Sequence, residues 1–246
     1  MTRRRQLDAR AGLGLLAPAL VALAALAAWP GVWVLWLSLQ KRIPIFGVDH
    51  FVGVAHYGFL GGDARFWNAA RVTLVFTVVS VLLELALGVA VALALQRQQR
   101  ARRLTMALLL LPWALPSVVV GRTFEWLYHP SAGLVNFVLG GRAINWLGEP
   151  ALALPALIVA DVWRTMPFVA LLFRTLDALR AFDLMFVLTG GGPANTTETL
   201  TVYAYRSLFQ TLQLGLGAAV GVVVFALVML VAWSYLRAVA RSEASA

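Results

Sequence analysis

The sequence predicts an all-α integral membrane protein, a polytopic helical bundle of five to six transmembrane helices. Three stretches of about thirty, eighteen and thirty residues carry no charge, at residues 11–40, 104–121 and 207–236. A helix on a soluble protein needs one polar face, whereas a bilayer core requires about 20 apolar residues per helical span. With 61% hydrophobic and 13% charged residues, the 246-residue chain leaves no room for a sizeable soluble domain. We therefore treat residues 1–246 as a single transmembrane domain.

The first span is predicted over about residues 13–37. Trp29, Trp33 and Trp36 lie near its outer end, where amphipathic rings favour the membrane interface. The basic start of the chain also resembles a secretory signal, but the apolar stretch that follows is longer than a signal core of about 7–15 residues. We therefore interpret it as a retained span.

The second span is predicted over about residues 72–95, with Glu84 as its single charge. The third is predicted over about residues 105–127. It contains Pro112 and Pro116, which a packed membrane bundle tolerates as kinks. The last span is predicted over about residues 214–236.

The region of residues 151–188 is the difficult part of the chain. It is apolar enough for a membrane and too long for one span, but it carries several charges. The Gly-Gly-Gly-Pro stretch that follows stops any helix. The region is either one span or two crowded spans, so the sequence leaves five and six crossings open.

Arginines mark one side of the membrane. The net charge of +9 is concentrated before the first span, after the second and after the last. Such clusters are typical of cytoplasmic segments, so we expect a multi-pass protein with a cytoplasmic N-terminus. This placement explains the positive charge, so we do not expect nucleic acid to be a partner. The arginines are Arg3, Arg4, Arg5, Arg10, Arg97, Arg100, Arg102, Arg103, Arg237 and Arg241.

Charged residues inside membrane segments are costly and are functional candidates for that reason. A run in the fourth region recurs every three residues, a spacing at which neighbours on a helix can pair. The charges either neutralise one another for insertion or form the wall of a polar pathway that offers Arg and carboxylate contacts to a substrate. Glu84, one turn from Ser80 and Gly88, allows the same two interpretations. The pathway candidates are Glu84, Asp161, Arg164, Arg174, Asp177, Arg180 and Asp183.

The sequence contains little that indicates catalytic activity. The chain has no cysteine, which excludes disulfides, thiolate metal sites and Cys nucleophiles. His50, His56 and His129 lie in outer loops without metal-ligand spacing, and no Gly-x-Ser-x-Gly elbow occurs. We therefore predict no catalytic residue, no metal site and no cofactor.

Four stretches together resemble one known family, the inner-membrane permease subunits of bacterial ATP-binding-cassette (ABC) sugar importers of the type I, maltose- and glycerol-phosphate-like group. The similarity covers nearly the whole chain, and the stretches occur in the family's order. They are Trp-Asn-Ala-Ala at residues 67–70 with the segments at 73–77 and 84–88, Leu-Pro-Trp-Ala-Leu-Pro at 111–116, Asp-Val-Trp-Arg-Thr-Met-Pro-Phe at 161–168, and Leu-Thr-Gly-Gly-Gly-Pro at 188–193 with the segments at 197–200 and 203–206.

The resemblance implies a carbohydrate permease in the bacterial inner membrane that hydrolyses nothing itself. Its implied partners are the lipid bilayer, a second permease subunit, ATP-binding cassette ATPase subunits and an extracytoplasmic sugar-binding protein. The outer loop after the fourth region would contact the binding protein. The implied contact residues are Gly190, Gly191, Gly192, Pro193, Thr197 and Glu198.

One departure from the family is large. Family members carry a cytoplasmic Glu-Ala-Ala segment after the Trp-Arg-Thr-x-Pro-Phe stretch, and that segment docks into the ATPase. Here Pro167-Phe168 continues directly into Val169, and the docking loop is missing. We therefore expect the chain not to retain the ATPase. Three hypotheses remain: a working permease, a degenerate and uncoupled permease, and a membrane-embedded enzyme or regulatory scaffold.

Overall fold

The computed structural model describes residues 2–97, 102–165 and 171–244. Helices make up nearly all of the regular structure in these ranges, which confirms the predicted all-α class. The helices are α1 (Thr2–Ser38), α2 (Ala55–Gly62), α3 (Ala64–Arg97), α4 (Arg102–Ala114), α5 (Ser117–Leu127), α6 (Leu134–Val138), α7 (Pro150–Thr165), α8 (Leu171–Leu179), α9 (Asp183–Leu188), α10 (Leu200–Tyr205) and α11 (Leu214–Ala244).

Three of the described helices are long and apolar enough to cross a membrane, in the segments Leu16–Ser38, Ala64–Leu95 and Leu214–Arg237. A helix satisfies its backbone polar groups internally, so it is the form that an apolar segment adopts away from water. α1 packs along α11, and none of its described side chains before Ser38 is buried. α1 therefore lies at the edge of the bundle.

The third predicted span is divided into α4 and α5. Pro112 lies inside α4, whereas the helix is interrupted at Leu115 and Pro116. Proline has no N–H to donate and disfavours helical geometry in the residue before it, so a break at Leu115 follows from the sequence. The break places Ser117 at the start of a new helix.

The outer segment after α1 contains a small β-hairpin that the sequence analysis treats only as a loop. Its strands β1 (Gln40–Ile43) and β2 (Val48–Phe51) pair antiparallel. The carbonyl of Gln40 lies 3.0 Å from the ring Nε2 of His56, and a Cβ at Gly215 would overlap this carbonyl. Because glycine stands there, α11 can begin directly against the base of the hairpin.

Contacts at the two ends of α3 show how the fourth region runs. Near its start, Arg65 contacts Glu198, and further along Glu84 contacts Thr165. At 1.5 Å per residue, Arg65 and Glu84 lie about 28 Å apart along the helix. The chain must therefore return across the bundle between Thr165 and Glu198, and α8 and α9 make this return.

The return is not one continuous helix. α8 ends at Leu179 and α9 begins at Asp183. The N–H groups of Arg180 and Ala181 still donate to carbonyls at the end of α8. The carbonyl oxygen of Ala181 accepts hydrogen bonds from the hydroxyls of Thr201, at 2.7 Å, and Thr199, at 3.2 Å. Side chains at the start of α10 thus donate hydrogen bonds to the backbone carbonyl at the break, as an apolar environment requires.

Two buried clusters hold the bundle together. The larger lies between α3, α5, α7 and α9 and includes Phe76, Val120 and Leu157. A Cβ at Gly121 would lie 2.7 Å from Val187 Cγ1, so glycine permits the close contact of α5 with α9. The smaller cluster joins α2, α3, α10 and α11 at the outer end.

Candidate functional site

The predicted pathway residues divide into a buried and an exposed group. Glu84 and Asp161 are 1% and 5% exposed. Arg164 is half-buried, and Asp177, Arg180 and Asp183 are exposed. Arg174 belongs to α8, but its side chain lies outside the described part of the structure. The structure therefore separates two polar features that the sequence analysis treated as one set.

The buried group forms a contact between α3 and α7. The hydroxyl of Thr165 lies 2.5 Å from Glu84 Oε1 and 2.6 Å from the carbonyl oxygen of Asp161. A hydroxyl has one proton, so it can donate to only one of these acceptors at a time. Sequence reasoning nominated Glu84 but missed Thr165, since a threonine carries no charge to single it out.

The exposed group consists of Asp177 on α8, Arg180 directly after α8 and Asp183 at the start of α9. Together with the polar side chains of α5, we name this set the charged face. Ser117 at the start of α5 donates a hydrogen bond of 3.1 Å to Asp183 Oδ2 of α9. One turn or more further along α5, Arg122 Nη1 donates to Glu125 Oε2 at 2.6 Å. The side chains of this ion pair remain 65% and 41% exposed. The charged face thus offers both hydrogen-bond donors and acceptors at the surface of the bundle.

The outer loop after α9 is a tightly bonded turn. Gly190 and Gly191 have φ values of +58° and +93°, which favour glycine. The hydroxyl of Thr197 lies 2.7 Å from that of Thr189 and donates to the carbonyl of Gly192 at 2.6 Å. Thr197 is fully buried, so it supports the turn from inside.

Two arginines fix this loop to the start of α3, and we name Arg65, Glu198 and Arg206 the arginine clamp. Arg65 donates two hydrogen bonds of 2.7 Å to Glu198, and Arg206 donates a third of 2.9 Å. Arg206 also donates to Gly190 O at 2.6 Å and to Asn195 Oδ1 at 3.0 Å. Glu198 is fully buried, so its charge is compensated entirely by these contacts.

Sequence reasoning nominated Glu198 and missed both arginines of the clamp. Arg65 lies 133 residues from Glu198 along the chain, and no spacing rule joins such positions. Arg206 lies eight residues after Glu198, and the resemblance of residues 203–206 to the family was the signal that could have indicated it.

Two buried tyrosines border these features. Tyr203 donates a hydrogen bond of 2.6 Å to Asp63 Oδ2, and burial together with this carboxylate raises the pKa of Tyr203 above its ordinary value. Tyr128, just after α5, donates to the carbonyl of Ala156 at 3.1 Å. Burial raises the pKa of Tyr128 to about 12. Both phenols therefore serve as neutral donors.

The three histidines do not come together. His56 contacts the hairpin, and His129 Nδ1 lies 3.3–3.4 Å from polar groups of Ser131 and Ala132 in its own turn. Within the described ranges, no group of three or more His, Asp or Glu side chains is placed to hold a metal ion.

Comparison with known proteins identifies the family. The chain is 31% identical over 277 residues to the trehalose/maltose transport system permease protein MalF of Thermococcus litoralis, covering 94% of each chain. It is 30% identical over 282 residues to the trehalose transport system permease protein SugA of Mycobacterium tuberculosis H37Rv, covering 96% of this chain and 91% of the relative. Both alignments are longer than the 246 residues of this chain, so each contains positions at which this chain has no residue.

A solved structure of similar fold is the bacterial alginate ABC transporter in complex with an alginate pentasaccharide-bound periplasmic protein. It aligns with a TM-score of 0.77 at 16% identity and covers 94% of each chain. No family model matches the chain. The similarity to MalF and SugA nevertheless confirms the resemblance, and the chain belongs to the permease subunits of ABC transport systems for carbohydrates, the membrane subunits through which such importers move a sugar across the membrane.

Proposed function

We propose that the charged face of α5, α8 and α9 lines the passage taken by the carbohydrate and faces a second permease subunit. The observation that carries the proposal is the exposure of Arg122, Arg180 and Asp183, with Glu125 partly exposed, in segments that the sequence predicts to lie in the membrane. A charge directed into lipid costs about 3 kcal/mol on insertion scales. Facing a partner subunit or a hydrated passage avoids this cost.

The chemistry of the charged face suits a polyhydroxyl substrate. Carboxylates accept hydrogen bonds from sugar hydroxyls, and guanidinium groups donate to sugar oxygens. Ser117 and Asp183 lie within one hydrogen bond of each other, so a hydroxyl of the substrate can replace either partner. Asp177 extends the same exposed surface along α8.

The outer loop is the proposed contact for a sugar-binding protein, and the burial pattern divides its residues into two roles. Ala194 is exposed and Gly192 and Pro193 are half-buried, so the tip of the turn is open to a partner. Thr197 and Glu198 are fully buried and contribute by holding the turn in shape. The alginate importer solved in complex with a periplasmic protein has a similar fold.

We place the N-terminus in the cytoplasm of a bacterial cell, with six membrane crossings. The arginine clusters support this orientation, and six crossings return Arg237 and Arg241 to the same side as the start of the chain. In this arrangement the chain is a transport subunit without enzymatic activity, and ATP hydrolysis belongs to separate ATPase subunits.

A second candidate, an uncoupled permease, follows from the junction after α7. The expected loss of the Glu-Ala-Ala segment falls at Phe168–Val169, which lies outside the described residues. The alignments with MalF and SugA extend beyond the length of this chain, which supports a missing segment. A chain without that segment lacks its docking surface for the ATPase.

Transport into proteoliposomes tests the proposed passage. We expect Asp183→Asn to lower the initial rate of radiolabelled sugar uptake at least about tenfold, the loss of one hydrogen bond to a charged group worth about 1.5–3 kcal/mol. Glu149→Gln, which removes an exposed carboxylate from the outer loop before α7, is the control and should leave uptake unchanged. Equal rates for the two variants would contradict a passage at the charged face.

A further inference from the structure

Four aromatic side chains form a continuous cluster beside the charged face, and we name Phe182, Phe186, Tyr205 and Phe209 the aromatic face. The ring of Tyr205 lies at its centre, with centroid distances of 5.1 Å to Phe182, 4.8 Å to Phe186 and 5.0 Å to Phe209. The rings of Phe182 and Phe186 stack at 5.1 Å. The cluster therefore extends from the start of α9 to just beyond the end of α10.

The aromatic face and the charged face share one side of α9. Asp183 lies three residues before Phe186, and Phe182 lies four residues before it, so the three side chains are neighbours on the helix surface. Asp183 is exposed and both rings are half-buried. Helical spacing places the buried side chains on the opposite side of α9; they are Leu184, Met185 and Leu188. Whatever faces Asp183 in the importer therefore also meets the two rings.

The cluster stays open at the surface of the bundle. Phe209 is 66% exposed, and the other three rings are half-buried. The hydroxyls of Tyr57, Tyr128 and Tyr203 each lie 2.6–3.1 Å from a hydrogen-bond partner. The hydroxyl of Tyr205 has none among the described residues. Tyr205 therefore adds an open donor and acceptor to the aromatic face.

Contact with lipid does not explain a surface of four rings. The exposed large apolar side chains of α3 between residues 74 and 93 are all aliphatic, and aliphatic side chains match lipid tails in polarity. A pyranose ring, in contrast, presents a face of C–H groups, which carry partial positive charge and are attracted to the negative face of an aromatic ring. Its hydroxyls require donors and acceptors, which Asp183 and Tyr205 provide. The two faces together thus match both the apolar and the polar parts of a sugar.

We propose that the aromatic face binds the apolar side of a pyranose ring of the transported carbohydrate, while Asp183 and Tyr205 bond to its hydroxyls. This inference rests on the proposed function, since it extends the passage from the charged face along α9 and α10. In the proposed orientation Phe209 lies at the outer end, so a sugar entering from outside meets this ring first.

The natural absence of cysteine makes the test direct, because an introduced thiol is the only one in the chain. Phe209→Cys reports on the aromatic face and Ser117→Cys on the charged face. Phe137→Cys, at a position 79% exposed on α6, is the control. Each variant is assembled with a cysteine-free second permease in right-side-out membrane vesicles, and its reaction with a membrane-impermeant maleimide is timed. Trehalose and maltose are the probes, and sorbitol, a polyol without a ring, is the comparison.

We expect trehalose or maltose to slow the labelling of position 209. At a concentration ten times its Kd, a sugar leaves about a tenth of the sites free, so the rate falls about tenfold. Position 137 should react at one rate throughout, and sorbitol should protect neither face. Equal protection of position 209 by sorbitol would overturn stacking. So would a thiol at 209 that reacts in the isolated chain but not beside the second permease, because the partner subunit would then cover the rings.

The thiol at position 117 separates the inference from the proposed function on which it rests. Protection by sugar at 117 but not at 209 overturns the aromatic face and leaves the passage at the charged face in place. Absence of protection at both positions contradicts that passage itself. Neither result depends on ATP hydrolysis, so a chain that is not coupled to an ATPase gives the same answer.

A second pair of variants tests the ring of Phe186 itself, with Ser117→Cys as the reporter. Phe186→Leu keeps an apolar side chain and removes the ring, so we expect the Kd for the sugar to rise about two- to tenfold, the contribution of one aromatic contact. Phe186→Tyr keeps the ring and should retain the original Kd. An unchanged Kd in Phe186→Leu contradicts a binding role. Equal losses in both variants, accompanied by lower unfolding temperatures, would assign Phe186 to packing alone and also contradict it.

Discussion

The carboxylate of Glu84 lies 2.5 Å from the hydroxyl of Thr165, which is 81 residues further along the chain. This contact joins α3 to the last residue of α7, next to the junction at which the sequence analysis expects the docking segment to be missing. α3 also carries Arg65 of the arginine clamp near its other end. One helix therefore connects the outer loop to the junction of the expected coupling segment.

Thr165→Val tests the contribution of this contact to stability. The substitution keeps the shape of the side chain and removes the hydroxyl shared by Glu84 and Asp161. We expect the free energy of unfolding to fall by about 1.5–3 kcal/mol, the usual contribution of a hydrogen bond to a carboxylate. Thermal unfolding in detergent measures this loss. Thr123→Val, which removes an exposed hydroxyl bonded to its own helix, is the control, and an equal effect of both would refute the role of Glu84.

Disruption of the arginine clamp is expected to lower the free energy of unfolding by a larger amount. Arg206→Gln leaves the buried Glu198 with one arginine and removes the bond to Gly190 O, so we expect a destabilisation of about 3–5 kcal/mol. Arg206→Lys keeps the charge, but its three donors lie on one nitrogen, whereas Arg206 makes its contacts from Nη1 and Nη2. Its stability should therefore fall between those of the unaltered chain and Arg206→Gln. Unfolding temperatures of these variants, compared with Arg142→Gln in the exposed outer loop, provide the measurement. A clamp variant as stable as the Arg142 control would be incompatible with this assignment.

Tyr128 predicts a loss of stability at alkaline pH. Its pKa is about 12 in the folded chain, against about 10 for an unfolded tyrosine. The unfolded state therefore releases its proton first, so the stabilisation is complete below pH 10 and is lost as the pH rises through 12. We expect the decline in unfolding temperature over this window to become shallower in Tyr128→Phe. Tyr235→Phe, which alters an exposed ring, should leave the decline as it is, and identical curves for all three chains would exclude Tyr128 as a cause.

The segment expected to be missing after Thr165 predicts that the chain does not bind an ATPase subunit stably. Without the docking segment, the chain should not retain an ATPase subunit during purification in mild detergent. Insertion of a relative's Glu-Ala-Ala segment between Phe168 and Val169 should restore co-purification, which quantitative electrophoresis can measure. Stable one-to-one recovery of the ATPase with the unaltered chain would contradict the prediction and favour a coupled permease.

The fold class was predictable because the membrane imposes a simple requirement. Uncharged runs of the length of a span can only be helices in lipid, and the arginine clusters orient them. The break at Leu115 and Pro116 was also within reach, although the sequence analysis interpreted it as a kink. The β-hairpin was missed because its strands are short and mix charged with apolar residues.

The polar sites were less accessible to sequence reasoning. The charges of the predicted pathway residues stand out against an apolar background, whereas their division into an exposed and a buried group depends on how the helices pack. The clamp joins residues that are far apart in the chain, and Thr165 carries no charge to mark it. Whether an ordinary hydroxyl is paired can be read only from its neighbours in space.

The interrupted return between α8 and α9 has a consequence for biosynthesis. The carbonyl of Ala181 depends on the hydroxyl of Thr201, 20 residues later in the chain. A nascent polypeptide that has reached only Gly190 holds an unsatisfied backbone and several charges in the segment 171–188, so this segment cannot enter lipid as an independent helix. It must remain sheltered by the insertion machinery or by α3 and α5 until α10 has been synthesised. Membrane integration of this half of the protein is therefore a concerted event and not a helix-by-helix one.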